Sequence, residues 1–319
     1  MASNRVEAGR VATGDRLGGT REWEDGEGVR IAYQGELGAY SEAAALRFAP
    51  QASLLPCETF DEVFRAVEQD TVTHGILPIE NSIGGTIHRN YDLLLEHDLP
   101  IVGEVQLRIV HQLLAYPGAH MEEIRQIYSH PQALAQCERF LRSLSDCKVV
   151  ATYDTAGSAK LIRDQAIRDA AAIASERAAQ VFQLEILRSG IQDFSDNITR
   201  FLIISRTAQP VSAADKTTVM FSVPNEPGAL FKALSVFALR DIDLRKLESR
   251  PIRGRPWEYL FYVDLVMNGQ DERGRRALAH LAEFAASLRT LGTYATWREP
   301  TEDLQAATHG PDAAAPAPR

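Results

Sequence analysis

The chain has 319 residues, 45% hydrophobic and 24% charged, which is the make-up of a globular protein large enough for two domains. Its formal charge is −9 with no long basic run, so the clustered Lys and Arg that nucleic-acid phosphates require are missing and no nucleic-acid partner is expected. No apolar run approaches the roughly 20 residues of a membrane helix. Cys57, Cys137 and Cys147 form neither a C-x-x-C pair nor an even set, which predicts no metal, no disulfide framework and a reducing cytoplasm.

The first 28 residues mix both charge signs with Gly, Thr and Ala and lack the apolar centre of a secretory signal. They hold six acidic residues, among them Glu22, Glu24, Asp25 and Glu27, which argues against a transit peptide. Disorder is predicted for residues 1–28 and for a Pro/Ala-rich tail, 301–319. From Val29 onward strand and helix signals alternate. "VRIAYQG" reads as a strand, "SEAAALRFA" as a helix, and "DEVFRAVEQD" as a helix with Val63, Phe64 and Val67 on one face. "HGILPIE" is a strand closed by an Asn-Ser-Ile-Gly-Gly turn, and "IHRNYDLLLEH" is helical. "LPIVGEVQLRIVHQLLAY" is one long strand or two consecutive ones. Then follow strand "IRQIYSH", helix "PQALAQCERFLRSL", strand "KVVATYD", helix "TAGSAKLIRDQ", strand "AAAIAS", helix "ERAAQVFQLEIL" and the apolar strand in "NITRFLII". Such alternation predicts an α/β fold with largely parallel sheets over residues 29–206.

The polar, unpatterned stretch at 207–215, with Pro210, reads as a linker. Beyond it the order changes to βαββαβ over residues 216–300, a ferredoxin-like layout. Its strands are "TTVMFSVP", "IDLRKLESRP", "EYLFYVDLVM" and "GTYATW", and its helices "GALFKALSVFALRD" and "ERGRRALAHLAEFAASLRTL".

Several strands run into a helix through small polar residues: Ser41, Asn81 with Ser82, Ser129, Asp154 with Thr155, and Ser175. Helix starts carry unpaired N–H groups that attract anions, and in open α/β sheets they gather at one edge. Each alone reads more readily as an ordinary cap than as a ligand site; together they suggest a small-anion cleft. Thr199 and Arg200, at the mouth of the buried strand, could complete it with a hydroxyl donor and a permanent cation. The echo of protein-kinase motifs in "HRNYDLLLE" fails, because Asn90 stands where an Asp is needed. "GELGAYS" is not a dinucleotide fingerprint, and no His/Cys cluster suggests zinc.

"AYQGELGAYSEAA", "LPIENSIGGTIHRNYDLL", "GEVQLRIVHQLLA", "SHPQALAQC" and "NITRF" come in the order of the prephenate dehydratase family, which residues 30–205 resemble. "NEPGALFKAL" followed by "KLESRP" is similar to the ACT regulatory domain of that family, and "GGTIHRNYDLLLEHDLPIVGEVQL" resembles its plant-type branch, which includes arogenate dehydratases. The resemblance implies a dehydratase domain of two α/β lobes, like periplasmic binding proteins, with the active site between them. It implies conversion of prephenate to phenylpyruvate, carbon dioxide and water, without cofactor or metal, in phenylalanine biosynthesis. It also implies feedback by phenylalanine and a homodimer or homotetramer. By motif position, Thr199 hydrogen-bonds or protonates the departing hydroxyl, with Glu80 a competing proton source if burial raises its pKa. Asn81, Ser129 and Gln136 orient the substrate. Arg200 takes a substrate carboxylate, and Ser41, Ser82, Thr86 and Phe201 line the substrate site. Gly228, Ala229, Leu230, Glu248, Ser249, Arg250 and Pro251 form the phenylalanine site. Two alternatives stand beside this reading: dehydration of arogenate, which carries an amino group where prephenate has a keto group, and a non-catalytic amino-acid sensor. The 28 residues ahead of the dehydratase segment are too few for a fused chorismate mutase.

Overall fold

A computed structural model describes residues 28–144, 146–208, 213–252 and 254–299. Apart from Gly28, the expected disordered ends lie outside these residues, as does part of the expected linker. The chain begins with β1 (Arg30–Gln34), α1 (Tyr40–Phe48), β2 (Ser53–Cys57), α2 (Phe60–Glu68), β3 (His74–Asn81), the two-residue β4 (Gly85–Thr86), α3 (His88–Glu96) and β5 (Ile101–Arg108). It crosses to a second lobe of β6 (Gln112–Ala115), β7 (Gln126–Ser129), α4 (Pro131–Gln136), α5 (Glu138–Arg142), β8 (Lys148–Ala151), α6 (Thr155–Asp164), β9 (Ala170–Ala174), α7 (Glu176–Phe182) and β10 (Glu185–Arg188). It then returns to the first lobe in β11 (Ile198–Ser205).

The first sheet has the order β2-β1-β3-β11-β5, with β4 paired to β3. The second has the order β10-β6-β9-β7-β8. Both are mixed rather than largely parallel, because the strand that follows each chain crossing, β6 in the second sheet and β11 in the first, pairs antiparallel with its neighbours. Two chain crossings between lobes are the covalent signature of a two-lobed, periplasmic-binding-protein-like domain with a cleft between its halves.

Several boundaries differ from the sequence expectation, each for a local reason. β2 contains Pro56 and lies at a sheet edge, where a missing N–H is tolerated. The helix expected through Leu187 stops at Gln183, which adopts a left-handed conformation (φ 52°), and residues 185–188 become edge strand β10. The helix expected over 131–144 breaks at Cys137 into α4 and α5.

The C-terminal unit comprises β12 (Lys216–Ser222), α8 (Ala229–Ala238), β13 (Leu244–Pro251), β14 (Tyr259–Leu265), α9 (Glu272–Phe284) and β15 (Ser287–Tyr294). The βαββαβ order is as expected, but β15 begins at Ser287, where the sequence pattern continued a helix. Its antiparallel sheet, β13-β14-β12-β15, is buried on both faces. One face carries Val219, Phe221, Val263 and Leu265 against α8 and α9. The other packs Met220, Leu260, Tyr262, Leu291 and Tyr294 onto Leu77, Ile79, Leu202 and Ile204 of the first lobe. The regulatory-type domain is therefore docked on the back of the sheet whose front faces the cleft.

The two lobes meet closely at Gly38, whose φ of +86° suits glycine. A Cβ there would lie 2.7 Å from the Cα of Ala178, and Ser175 Oγ donates to the Gly38 carbonyl at 2.5 Å. Gly38→Ala is expected to lower unfolding stability by about 2 kcal/mol, since it combines left-handed strain with a clash against backbone. Urea unfolding measures this, and a wild-type midpoint would contradict the close approach.

Candidate active site

Three helix starts open on one cavity of about 470 Å³ between the lobes. α1 presents Ala39, Tyr40 and Ser41; α4 presents His130, Gln132 and Ala133; α6 presents Asp154 and Thr155. No side chain caps α1, so its first-turn N–H groups are available to a ligand. His130 and Asp154 cap the other two. Phe60, Pro78, Ile87, Ile109 and Phe201 give apolar walls. Among the described residues lining the cavity there is no Lys or Arg.

Thr199 and Asn81 are cross-strand partners in the β3–β11 pair. Asn81 Nδ2 donates to Thr199 Oγ1 at 2.9 Å and to Asn197 Oδ1 at 2.6 Å. Asn197 Nδ2 donates to Gln136 Oε1 at 2.9 Å, and His111 Nε2 donates to the same oxygen at 2.8 Å. Tyr40 OH lies 2.8 Å from His111 Nδ1. Burial pushes the His111 pKa down against the opposing pull of its Gln136 hydrogen bond, which favours the neutral ring. The chain Tyr40–His111–Gln136–Asn197–Asn81–Thr199 thus spans both lobes, and its polarity has consequences at each end. Thr199 Oγ1 accepts, leaving its own hydrogen for a ligand. Gln136 Oε1 accepts twice, leaving its NH₂ for a ligand. Asn81 Oδ1 accepts from the N–H groups of Ile83 and Gly84 and so holds the turn beside the cavity.

A bulge makes this arrangement possible. Between Arg200 and Phe201 the register slips from Glu80 to Pro78, so Pro78, Asn81, Thr199 and Phe201 all reach the cavity. Pro78, lacking an N–H, sits where the ladder is already interrupted.

The same register turns Glu80 and Arg200 to the opposite face. Arg200, expected at a substrate carboxylate, is not in the cavity. Its guanidinium bonds Glu80 at 2.6 Å, Glu104 at 3.2 Å and Asp264 of β14 at 2.6 Å. Glu104, fully buried, is also paired with Lys216 of β12 at 2.7 Å and accepts from the Trp297 N–H. Burial lowers the Arg200 pKa, but the charges led by Asp264 outweigh it and the group stays firmly protonated.

Glu80, expected as a proton source, is held by Arg200 and by Lys246 Nζ at 2.5 Å. Burial alone pushes its pKa up; the Arg200 charge and the Lys246 hydrogen bond reverse this and keep it below its usual value, the wrong direction for an acid. Thr86 donates to Glu248 at 2.8 Å and accepts from Lys246, on that same docking face. Ser82 bonds the backbone of Asp196 and Ile198, and Ser129, fully buried, donates to the Ile173 carbonyl at 2.7 Å; neither lines the cavity. Ser41, Asn81, Gln136, Thr199 and Phe201 are therefore the expected residues that the structure brings together. Asp154 and Thr155, read from the sequence as helix-start residues of an anion cleft, also line the cavity; Tyr40, His111, His130 and Asn197 were not expected in the site. His111 and Asn197 stood inside the motifs "RIVHQL" and "DNITRF", and their polar type within apolar runs was the available signal.

In the C-terminal unit, Gly228 is left-handed (φ 80°) at the start of α8, followed by Ala229 and Leu230. β13 alternates strictly. Ser249 and Pro251 face outward, whereas Glu248 and Arg250 face the dehydratase side, Arg250 bonding Asp92 at 2.8 Å. Glu248 and Arg250, expected at the phenylalanine site, are thus docking residues within this chain.

A two-lobed α/β domain with a polar-ended, apolar-walled cleft, backed by an ACT-type sheet, defines a small-molecule enzyme with an attached regulatory domain. The prephenate dehydratase family model matches residues 31–209 and the ACT domain model residues 217–283. The chain belongs to the prephenate dehydratase family. It is 50% identical over 288 residues to arogenate dehydratase/prephenate dehydratase 2, chloroplastic, of Arabidopsis thaliana, covering 86% of this chain and 75% of that one. Among solved structures it resembles a prephenate dehydratase from Arthrobacter aurescens in complex with L-Phe, at 33% identity and a TM-score of 0.76, covering 84% of this chain and 90% of that one. It also resembles GqqA, described as a novel type of quorum quenching acylase, at 36% identity and a TM-score of 0.78, covering 84% and 98%. The cytoplasmic expectation is contradicted by the Arabidopsis relative, which is chloroplastic by its description.

Arg200→Met should cost about 3–5 kcal/mol of stability, because it leaves the buried Asp264 carboxylate without its cation and Glu104 with Lys216 alone. Denaturant unfolding reads this; unchanged stability with a raised KM would return Arg200 to the substrate site.

Proposed function

We propose that the cleft binds prephenate or arogenate and catalyses their decarboxylating dehydration. In this reaction the ring C–carboxylate bond breaks to release carbon dioxide. Its electron pair enters the ring, and the C–O bond to the ring hydroxyl breaks. The hydroxyl leaves as water after taking one proton, and the aromatic ring formed supplies the driving force. The observation that carries this reading is the directed hydrogen bond from Asn81 to Thr199 Oγ1, which commits the Thr199 hydrogen to the departing oxygen. Phe201, Phe60, Ile87 and Ile109 suit the ring, and the uncapped start of α1 with Ser41 suits a carboxylate. Gln136 offers a further donor.

The acylase activity described for GqqA is not carried over. Amide hydrolysis needs a nucleophile activated by a base, and the Thr199 oxygen meets an amide donor instead. A sensor reading fits less well than an enzyme, since a directed hydroxyl at the cleft is unnecessary for binding alone.

We further propose a dehydratase domain over 29–206 and an ACT regulatory domain over 216–300 that binds phenylalanine between two copies of the chain, as a homodimer or homotetramer. Gly228, Ala229, Leu230, Ser249 and Pro251 are its contacts. Exposed Phe231, Leu239 and Leu247 and the free edge of β13 support self-association.

Thr199→Ala is expected to lower kcat by about 10²–10⁴-fold with KM changed little, and Thr199→Ser to recover much of it. Steady-state turnover of both substrates, with and without phenylalanine, is the test. Wild-type rates in Thr199→Ala would remove the residue from the mechanism.

A further inference from the structure

Two carboxylates must enter a cavity whose described lining holds no Lys or Arg. Of the cations near the site, Arg200 and Lys216 are buried at the docking face and Lys246 is tied to Glu80 there, while Lys160 and Arg177 are paired with Glu36 and Glu42. The cavity wall holds instead one carboxylate of its own, Asp154, together with the neutral His111. A doubly anionic ligand therefore meets added repulsion, whereas a ligand with an ammonium group meets a counter-charge.

Asp154 also caps α6. Its Oδ1 accepts from Ala156 N at 2.7 Å and Gly157 N at 3.5 Å, and its Oδ2 accepts from Glu36 N, across the cleft, at 3.3 Å. Capping alone does not require the charge, because Ser, Thr and Asn cap as well. A carboxylate has about four acceptor sites, so Asp154 keeps capacity for another donor. Thr155, the first residue of α6, lines the cavity beside it. The uncapped start of α1, on the same cavity, offers N–H groups for a carboxylate, and Asp154 offers an anionic end for an ammonium group, the two charged parts of an α-amino acid.

We propose that Asp154 is a specificity-determining residue that binds the side-chain ammonium group of arogenate and disfavours the keto group of prephenate. The inference rests on the dehydratase reading above and deepens it by selecting between its two substrates. Thr199 and Asn81 act on the ring hydroxyl, which both substrates share; Asp154 acts on the one group in which they differ.

The test is kcat/KM for arogenate and for prephenate with the full-length protein, wild type against Asp154→Asn and Asp154→Ser. Both variants retain a capping oxygen, and circular dichroism checks their folding. Wild-type protein should prefer arogenate. In both variants the arogenate value should fall at least ten-fold, mainly through KM, while the prephenate value holds or rises. An equal fall for both substrates, or an unchanged ratio, would overturn the inference while leaving the dehydratase reading intact. Turnover of neither substrate by the wild type would overturn the dehydratase reading itself, and the inference with it.

Discussion

The antiparallel pairing of β3 with β11 is the constraint on which the rest of this structure depends. Side chains along a strand alternate between faces, so two adjacent residues must serve two different surroundings. Asn81 and Thr199 go to the cleft. Glu80 and Arg200, one position away on each strand, go to the back of the sheet. There they join Glu104, Lys216, Asp264 and Lys246 in an ion network between the domains. Such a network is costly to desolvate and contributes less to net stability than its number of pairs suggests. It fixes the register with which the C-terminal sheet sits on the catalytic lobe, since no apolar surface would discriminate one seating from another as sharply. A change at the ACT sheet thus meets the strands that carry Asn81 and Thr199 through direct contacts, the physical requirement for coupling between distant sites.

With its cations committed to the back of the sheet, the cleft handles anions by other means. The uncapped start of α1 supplies N–H groups, and amides whose oxygens are occupied supply the remaining donors. The hydrogen-bond chain from Tyr40 to Thr199 includes residues of both lobes and of the crossings between them, so relative lobe position and the orientation of the Thr199 hydroxyl are linked.

Much of the fold was legible in the sequence, because long apolar periodicities such as α2 and the βαββαβ order survive any tertiary context. What was missed depends on tertiary pairing. β2 and β10 are edge strands with weak patterns, and β15 begins in a sequence of helical appearance. In the site, motif membership identified Thr199, Asn81 and Gln136 as candidates but carried Arg200 and Glu80 along with them. Strand alternation speaks against putting Thr199 and Arg200 on one surface. On β3 the bulge at Pro78 decides which of Glu80 and Asn81 faces the cleft, and that slip is invisible without the partner strand. The docking role of Glu248 and Arg250 was likewise hidden, since it depends on which face of β13 meets Thr86 and Asp92.

The claim that one strand pair separates chemistry from docking is tested most directly by comparing turnover of two near-isosteric neighbours, Asn81→Asp and Glu80→Gln. Asn81→Asp replaces the donor to Thr199 with an acceptor, and kcat should fall by about 100-fold or more. Glu80→Gln alters only the docking face, and kcat should stay within a few-fold of wild type. A collapse of kcat in Glu80→Gln, with Asn81→Asp near wild type, would contradict the account.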